Sequence, residues 1–546
     1  MLQPIRLPGC RMIFRRFFTQ FSWSPRAARA AISCVVTGFS LSCATAQEIT
    51  SFYVREYRVE GAKRLPRLAV EEAVYPYLGP ARGPGDVEQA RLALEKAYHD
   101  KGFQTVSVMI PQQDPRYGVI RLQVLESKVG RLRINGAKFF LPSRIKSEAP
   151  SIAEGEVPNM KQVEKELNAI NRSSSDRFVN NELRAGIEPG TVDIDLNVED
   201  KSPLHGSLEL NNQYSADTTP LRINGSVSYG NLFQEGHTGG LSFQIAPQNL
   251  DDAQVYSGYY LARVSEGVSL MIQGTKQNSD ISTLGGAAVA GRGEIAGFKV
   301  IWDLPTTDKF YQTASLGVDY KNFIENIVVG KSLVASPIEY YPFVASYGAT
   351  WMGENGFTEL NHALNFHLRG LGSGPKDYSN KRYNADGDFV YLRSDVAHTH
   401  DLKGGSQAFG KIQGQISSRP LINGEQFAGG GLETVRGYLE ATALGDNGVF
   451  GTVEFRSPSF IGTPNASGKR LNEWRIYGFA EGGLVGIYDA LPGQQSQYGL
   501  ASFGAGTRIL VRDHFNASVD AGIPVIDQAH ADSGDVRVTF RGWADF

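Results

Sequence analysis

Cysteine is nearly absent from this chain of 546 residues. Three occur, at Cys10, Cys34 and Cys43, and none follows. This pattern excludes a disulfide framework or a cysteine metal site over most of the chain. The sequence also lacks runs of about 20 apolar residues, which excludes a bundle of membrane-spanning helices. Hydrophobic residues still make up 41% of the chain, which is too many for wholesale disorder.

Acidic residues are absent from the first 46 positions, which contain six Arg. The apolar stretch from Ala30 to Cys43 is too short to span a bilayer, and Ala44-Thr45-Ala46 fits a small-residue cleavage site. The pattern predicts a signal peptide over residues 1–46, and a buried N-terminal helix is the alternative that the charge asymmetry disfavours. Removing this segment leaves an acidic chain, which gives no support to nucleic-acid binding.

Glycine and aromatic residues are plentiful, with 61 Gly, 23 Tyr and 29 Phe. This composition favours a protein of many strands and turns. By itself it leaves open both a water-soluble β-protein and an outer-membrane barrel.

A repeat begins the exported part of the chain. The segment Val-Glu-Gly-Ala-Lys at 59–63 returns as Ile-Asn-Gly-Ala-Lys at 134–138. A Leu-Pro pair, an amphipathic helix (near 86–100 or 161–172) and alternating strands follow each copy. The spacing predicts two small α+β domains, at 52–127 and 128–200.

From about His205 the chain shows only strand and turn signals. Apolar and polar residues alternate over segments of about ten residues, as in strands with one face in lipid and the other in a lumen. At about 20 residues for each strand and its connection, residues 205–546 are long enough for about 16 strands. The pattern therefore predicts a transmembrane antiparallel β-barrel after the two α+β domains.

The last segment alternates most strictly and ends on an aromatic residue. Its apolar face comprises Val536, Val538, Phe540, Gly542, Ala544 and Phe546. A strand that ends on the final Phe resembles the signal read by the outer-membrane barrel-assembly machinery, with Phe540 and Phe546 as its aromatic positions. A water-soluble β-protein rarely ends in this way.

The segment 425–438 reads Glu-Gln-Phe-Ala-Gly-Gly-Gly-Leu-Glu-Thr-Val-Arg-Gly-Tyr. Its end, Val435-Arg436-Gly437-Tyr438, resembles the sixth-loop motif of two-partner secretion transporters, the haemolysin secretion/activation proteins. The repeat resembles the POTRA domains of that family, so the likeness extends over nearly the whole exported chain. It implies an outer-membrane barrel with two periplasmic POTRA domains and a loop around 421–445 inserted into the lumen.

The resemblance also implies a partner for Arg436 in a Phe-x-Asp motif, matched here by Phe479-Ala480-Glu481. Alternation along 476–484 independently directs Phe479 and Glu481 inward. A guanidinium in a protein-lined lumen needs a carboxylate that satisfies its donors. We therefore expect Arg436 to pair with Glu481, whereas a solvated Arg436 is the alternative.

The family likeness implies export of an unfolded partner exoprotein, of adhesin or haemolysin type, without ATP. Two alternatives remain: a barrel-assembly factor of the same superfamily, and a passive porin with a periplasmic module. No nucleophile elbow occurs, and His398 and His400 lack a third nearby metal ligand, so we expect no enzyme activity, cofactor or metal.

Many members of the family carry a plug helix before the first POTRA domain. Cleavage after Ala46 leaves only a handful of residues before Phe52, so we expect no such helix unless the leader is processed differently.

Overall fold

The computed structural model describes residues 51–282, 289–329, 332–463 and 470–546. The predicted signal peptide and any plug helix lie outside these residues. The described chain divides into two compact units at Lys201–Ser202.

The first unit contains the repeat, with two sets of helices and strands. The first set comprises β1 (Phe52–Val54), β2 (Glu56–Glu60), α1 (Arg67–Val74), β3 (Gly79–Arg82), α2 (Pro84–Asp100), β4 (Val106–Met109) and β5 (Val119–Glu126). The second comprises β6 (Lys128–Asn135), α3 (Pro142–Ser147), α4 (Met160–Ser173), β7 (Arg177–Ala185) and β8 (Thr191–Asp200).

Both sets form the same three-stranded sheet. The strand orders are β2-β5-β4 and β6-β8-β7, each with one parallel and one antiparallel pair. Each sheet has its own hydrophobic core beneath its helices. In α4 the buried residues are Val163, Leu167 and Ile170, the three that the helical spacing marks as apolar. Each set therefore buries a separate core.

The Gly-Ala-Lys motif makes a tight turn after the first strand of each core sheet. Gly61 and Gly136 have φ of 87° and 85°, a region that side chains disfavour. A Cβ on Gly136 would lie 2.4 Å from the carbonyl oxygen of Val198. The carboxylate that ends the last strand of each set, Glu126 or Asp200, accepts backbone hydrogen bonds from the turn. The repeated motif thus joins the first strand to the last.

Glu126 also ties this turn to α2. The Tyr98 hydroxyl donates to its carboxylate at 2.9 Å, and burial together with this bond raises the pKa of Tyr98 above its ordinary value. At the start of α2, the Gly83 N–H donates to the Asp86 carboxylate, which lowers the pKa of Asp86. This bond satisfies a free backbone donor, so α2 begins at Pro84, two residues before the predicted start.

The second unit consists mainly of one closed sheet. Its strands are β9 (Leu204–Asn211), β10 (Arg222–Leu232), β11 (His237–Ile245), β12 (Ala253–Ser265), β13 (Val268–Ser282), β14 (Val289–Asp303), β15 (Phe310–Val329), β16 (Ser332–Tyr340), β17 (Phe343–Gly353), β18 (Gly356–His367), β19 (Phe389–Asp401), β20 (Gln407–Ser417), β21 (Phe427–Gly429), β22 (Ala443–Gly445), β23 (Asn447–Arg456), β24 (Glu473–Gly486), β25 (Gln497–Val511), β26 (Phe515–Pro524) and β27 (Arg537–Asp545). β21 and β22 form a separate hairpin.

The closed sheet is an antiparallel barrel of 16 strands. Both β16 and β17 pair with β15, so they are two segments of one strand interrupted at Tyr341-Pro342. The prediction of a β-barrel of about 16 strands is confirmed. Large apolar side chains cover its outer face, and Ile412 and Ile416 are about two-thirds exposed. A continuous exposed apolar band of this kind is typical of strands that contact lipid.

The last strand closes the barrel against the first. Residues 541–545 of β27 pair with 207–211 of β9, and Arg541 forms a 2.7 Å ion pair with Glu209 across this seam. Phe546 exchanges two backbone hydrogen bonds with Gly206, and its ring occupies the space that a Cβ on Gly206 would need. The final aromatic residue thus takes part in closure.

Two features differ from the sequence pattern. A short helix, α5 (Pro375–Lys381), lies between β18 and β19, where only strands and turns were expected. Asp193 and Asp195 of β8 are buried although they alternate with core residues, because Arg133 and Arg184 lie over their carboxylates. In the described ranges no helix is long and apolar enough to cross a bilayer.

We predict that Gly136→Ala destabilises the first unit by about 3 kcal/mol, because it combines left-handed strain with a clash against Val198. Gly155→Ala is the matched control: Gly155 also has a positive φ but has open space around it, so the cost is about 1 kcal/mol. Urea unfolding of a fragment comprising residues 51–201 measures both. Equal losses would contradict the role of the close approach.

Candidate functional site

The loop between β20 and β23 folds into the barrel lumen. Its hairpin, β21 and β22, is followed towards the tip by Gly430 and Gly431, both with positive φ. At the tip, the Glu433 carbonyl accepts a 2.6 Å hydrogen bond from the inward-facing Gln413 of β20. The segment therefore lies against the inner wall.

Arg436 lies at the centre of this contact. Its Nε and Nη2 donate to one oxygen of Glu481 at 2.9 and 2.6 Å, and its backbone N–H donates to the other oxygen at 2.6 Å. The structure thus brings together the two residues that the family motif pairs. Both side chains are almost fully buried.

Two further carboxylates contact the same guanidinium. Arg436 Nη1 lies 2.7 Å from Asp520 of β26, and Nη2 lies 3.1 Å from Glu454 of β23. Glu454 also accepts from Arg456 at 2.6 Å. Three carboxylates and two guanidinium groups therefore form one buried ionic network. A buried charge is stable only when it is paired in this way.

Aromatic rings complete the surroundings of Arg436. The guanidinium carbon lies 3.5 Å from the centre of the Phe479 ring, a close cation–π contact. The Tyr477 hydroxyl donates to Asp520 at 2.9 Å and so orients that carboxylate. Gly504 and Gly506 of β25 leave room for these two rings, because a side chain at either position would collide with them.

The neighbours of Arg436 in the motif also contact the wall. Val435 is fully buried, and Tyr438 places its hydroxyl within 3.0 Å of the carbonyl oxygens of Ala501 and Ile526. Gly437 has φ of 97° and lies against the backbone of Gly522 in β26. All four motif residues therefore fix the loop against the C-terminal strands of the barrel.

Sequence reasoning missed Glu454, Asp520 and the two glycines of β25. Strand alternation already directed both carboxylates into the lumen, since each alternates with apolar residues. Alternation does not give the position of a residue along the barrel axis, because the register between strands decides which inward side chains lie level with Arg436. The register that pairs Tyr477 with Gly506, and Gly506 with Asp520, supplies that information.

In the first unit, helix side chains form hydrogen bonds with the backbone of the edge strand of each three-stranded sheet. In β4 the outward backbone N–H of Val108 donates to Glu95, and its carbonyl accepts from Arg91, at 3.0 and 3.1 Å. His99 contacts the Val106 carbonyl at 3.1 Å. Arg91, Glu95 and His99 follow one face of α2. Side chains thus occupy positions that the backbone of an added strand would take.

The second sheet repeats this arrangement with one residue. Asn171 of α4 bonds both the N–H and the carbonyl of Val179 in β7, at 2.7 and 2.9 Å. Val108 and Val179 are equivalent, since they pair with Val124 and Val198, the residues opposite the two repeated glycines. Both sheet edges are therefore capped by side chains of the neighbouring helix.

His398 and His400 stack on each other, and His398 bonds Thr358. Among the residues that the structure describes, no group of three or more His, Cys, Asp or Glu is arranged to hold a metal ion.

We predict that Gly522→Ala loosens the lumen loop, because the new Cβ would lie 2.6 Å from the Gly437 nitrogen. A cost of about 1.4 kcal/mol raises tryptic cleavage after Arg436 in the purified barrel by about tenfold. Gly542→Ala in the adjacent β27 is the control, since nothing lies within 4 Å of its added Cβ. Equal cleavage in the two variants would contradict the close backbone contact.

Comparison with known proteins gives two family matches. Residues 52–127 match the POTRA domain of ShlB type, and residues 190–509 match the haemolysin secretion/activation protein family ShlB/FhaC/HecB. The second match includes more than half of the chain. The prediction of POTRA resemblance is thereby confirmed for the first domain.

Individual proteins agree with this assignment. The outer membrane transporter CdiB of Dickeya dadantii is 22% identical over 420 residues, which is 73% of this chain and 71% of that protein. The structure of CdiB from Escherichia coli has a TM-score of 0.60 at 19% identity and covers 93% of both chains. BamA from Haemophilus ducreyi, solved without POTRA domains 1–3, has a TM-score of 0.55 at 12% identity and covers 90% of this chain and 100% of that one. At such identities the structural likeness shows the fold alone.

The barrel, the POTRA domain and the family match over 190–509 lead to one conclusion. This chain belongs to the haemolysin secretion/activation protein family ShlB/FhaC/HecB of two-partner secretion transporters, and it is an outer-membrane transporter with its POTRA domain in the periplasm.

Proposed function

We propose that this transporter exports one secreted exoprotein, of adhesin or haemolysin type, through its barrel. The observation that carries the proposal is the lumen loop fixed through Arg436, because a passive pore has no need of a buried ionic network across its channel. Residues 128–200 act as a second POTRA domain, since they repeat the sheet, the glycine turn and the edge cap of the first.

The loop occupies the lumen at rest and moves during export. Its polar contacts with the wall are hydrogen bonds and ion pairs to a few groups, which can be exchanged for water or for the passing chain one at a time. Folding of the exoprotein outside the cell prevents its return and so biases movement outward without ATP. No cofactor is needed for such a step.

The capped sheet edges support capture of the unfolded exoprotein in the periplasm. An extended segment adds to β4 by exchanging its backbone hydrogen bonds for those of Arg91, Glu95 and His99. The displaced charges keep partners, because Arg91 lies 2.8 Å from Glu88 and 2.7 Å from Glu95. Leu92, Met109 and Ile110 are exposed and offer apolar contacts to the incoming side chains.

Phe540 and Phe546 act earlier, when the barrel-assembly machinery inserts the chain into the lipid of the outer membrane. The support is their place in the strand that closes the barrel. The two side chains that the machinery recognises during insertion then form part of the contact between the last strand and the first.

The first test compares a deletion strain with its parent by quantitative proteomics of the culture medium and the outer-membrane fraction. We expect one large secreted protein to disappear from the medium while other barrels stay unchanged. A broad fall in outer-membrane proteins with an intact secreted set would instead identify a barrel-assembly factor. An unchanged proteome would favour a passive porin.

We also predict that Val108→Pro lowers secretion of that protein by about tenfold, because it removes the outward N–H that an added strand would use. The same N–H points away from β5, so the sheet retains its own hydrogen bonds. Val179→Pro is the matched variant in the second domain and reports whether that edge is used. Immunoblots of the medium, normalised to assembled barrel, measure the effect. Normal secretion in both variants would contradict capture at these edges.

A further inference from the structure

A second buried carboxylate, 11 residues before Arg436, holds the lumen loop at its base. Glu425 precedes the hairpin, and its side chain is 1% exposed. One carboxylate oxygen accepts from Lys321 Nζ and from the Tyr340 hydroxyl, both at 2.6 Å. The other accepts from the Tyr391 hydroxyl at 2.6 Å. Three strands of the wall, β15, β16 and β19, thus contribute to this one site.

An apolar cluster encloses the Glu425 site and separates it from water. It lies at the extracellular end of the barrel, opposite the end where Leu204 and Phe546 lie. Its buried members come from β15, β16, the segment around α5, β19 and the start of the loop: Phe323, Ile338, Tyr340, Tyr378, Ala385, Phe389, Tyr391, Leu421 and Ile422. Carboxylate and cluster together form what we call the rim anchor.

Asp446 joins the two ends of the loop at the same level. Its side chain is fully buried and accepts from the backbone N–H of Leu421 at 2.8 Å and from the Gln426 amide at 3.3 Å. Its second oxygen accepts from the N–H of Tyr488 in the next extracellular loop at 2.7 Å. Residues 421–426 and Asp446 are therefore bonded to each other as well as to the wall.

We infer that the rim anchor, with Glu425 as its positioning residue, stays closed when the Arg436 network opens, so that only residues 427–445 leave the lumen. The inference rests on the proposed movement of the loop during export. Arg436 then sets whether the loop is in the lumen, whereas Glu425 sets the point about which it turns.

The geometry of the free segment is compatible with such a turn. The hairpin pairs only three residues of β21 with three of β22, and Gly430 and Gly431 follow it with φ of 101° and 91°. At about 3.3 Å for each extended residue, half of the segment between the anchored ends spans about 30 Å. That length is comparable to the thickness of a membrane, so the tip clears the channel without release of its base.

Cysteine labelling tests whether the loop tip moves while the rim anchor stays closed. No cysteine follows Cys43, so an introduced cysteine is the thiol that reacts in this part of the chain. Thr434→Cys places a buried probe at the loop tip, and Ile422→Cys places one in the rim anchor. Each is introduced into otherwise unchanged full-length protein, and cells are labelled from outside with a membrane-impermeant maleimide. Heat-modifiable migration in unboiled gels reports whether each barrel is folded.

We expect Arg436→Ala to raise labelling of the tip probe by about tenfold and to leave the rim probe protected. Glu425→Gln raises labelling of the rim probe by a similar factor, because it leaves Lys321 without its buried partner. Lys321→Gln has the same effect without a change in the loop, and it serves if Glu425→Gln fails to assemble. Glu433→Gln, at an exposed carboxylate of the same loop, changes neither probe.

Labelling of both probes in Arg436→Ala would overturn the inference, since the loop would then move as one body. A protected rim probe in folded Glu425→Gln and Lys321→Gln proteins would overturn it as well, since the anchor would not depend on these charges. The assay needs no exoprotein. Failure of the proposed export, seen as an unchanged secreted set in the deletion strain, is therefore a separate result.

Discussion

The ionic network around Arg436 is the constraint on which the rest of the barrel depends. One guanidinium contacts carboxylates from β23, β24 and β26, so it holds the loop and its hairpin against three strands of the wall. The glycines of β25 and the rings of Tyr477 and Phe479 are consequences of it, because the network needs both a flat contact surface and space at the intervening strand. Removal of Arg436 takes away the cation that contacts all three carboxylates and leaves them buried without it.

The periplasmic unit is organised around hydrogen bonds to the backbone. In each domain a carboxylate at the end of the last strand receives the turn that follows the first strand, and a helix side chain caps the edge strand. In both domains the outward backbone N–H and carbonyl of the edge strand have hydrogen-bond partners. A charged pair supplies these partners in the first domain, and a single amide supplies them in the second. The two edges are therefore alike in geometry and unlike in charge.

Much of this architecture could be predicted from the sequence. The alternation of residues gave the inward direction of Phe479 and Glu481, and the repeat gave two α+β domains, because both depend on local periodicity. Asp520 and Glu454 could not be joined to Arg436, since their meeting depends on the register of four strands and on the course of a loop between them. Glu425 was hidden for a similar reason: its partners lie on strands 34 to 104 residues before it in sequence. Helix α5 is short and polar, so it resembled an ordinary connection.

The capped sheet edges have a kinetic consequence. An unfolded chain that joins β4 gains hydrogen bonds only by replacing bonds that the domain already makes to itself, so the net gain at each residue is small. Small net gains give short residence times at any one register. In the capture that we propose, the exoprotein therefore slides and is passed on, whereas an uncapped edge would hold it tightly and would also pair with other edges in the periplasm.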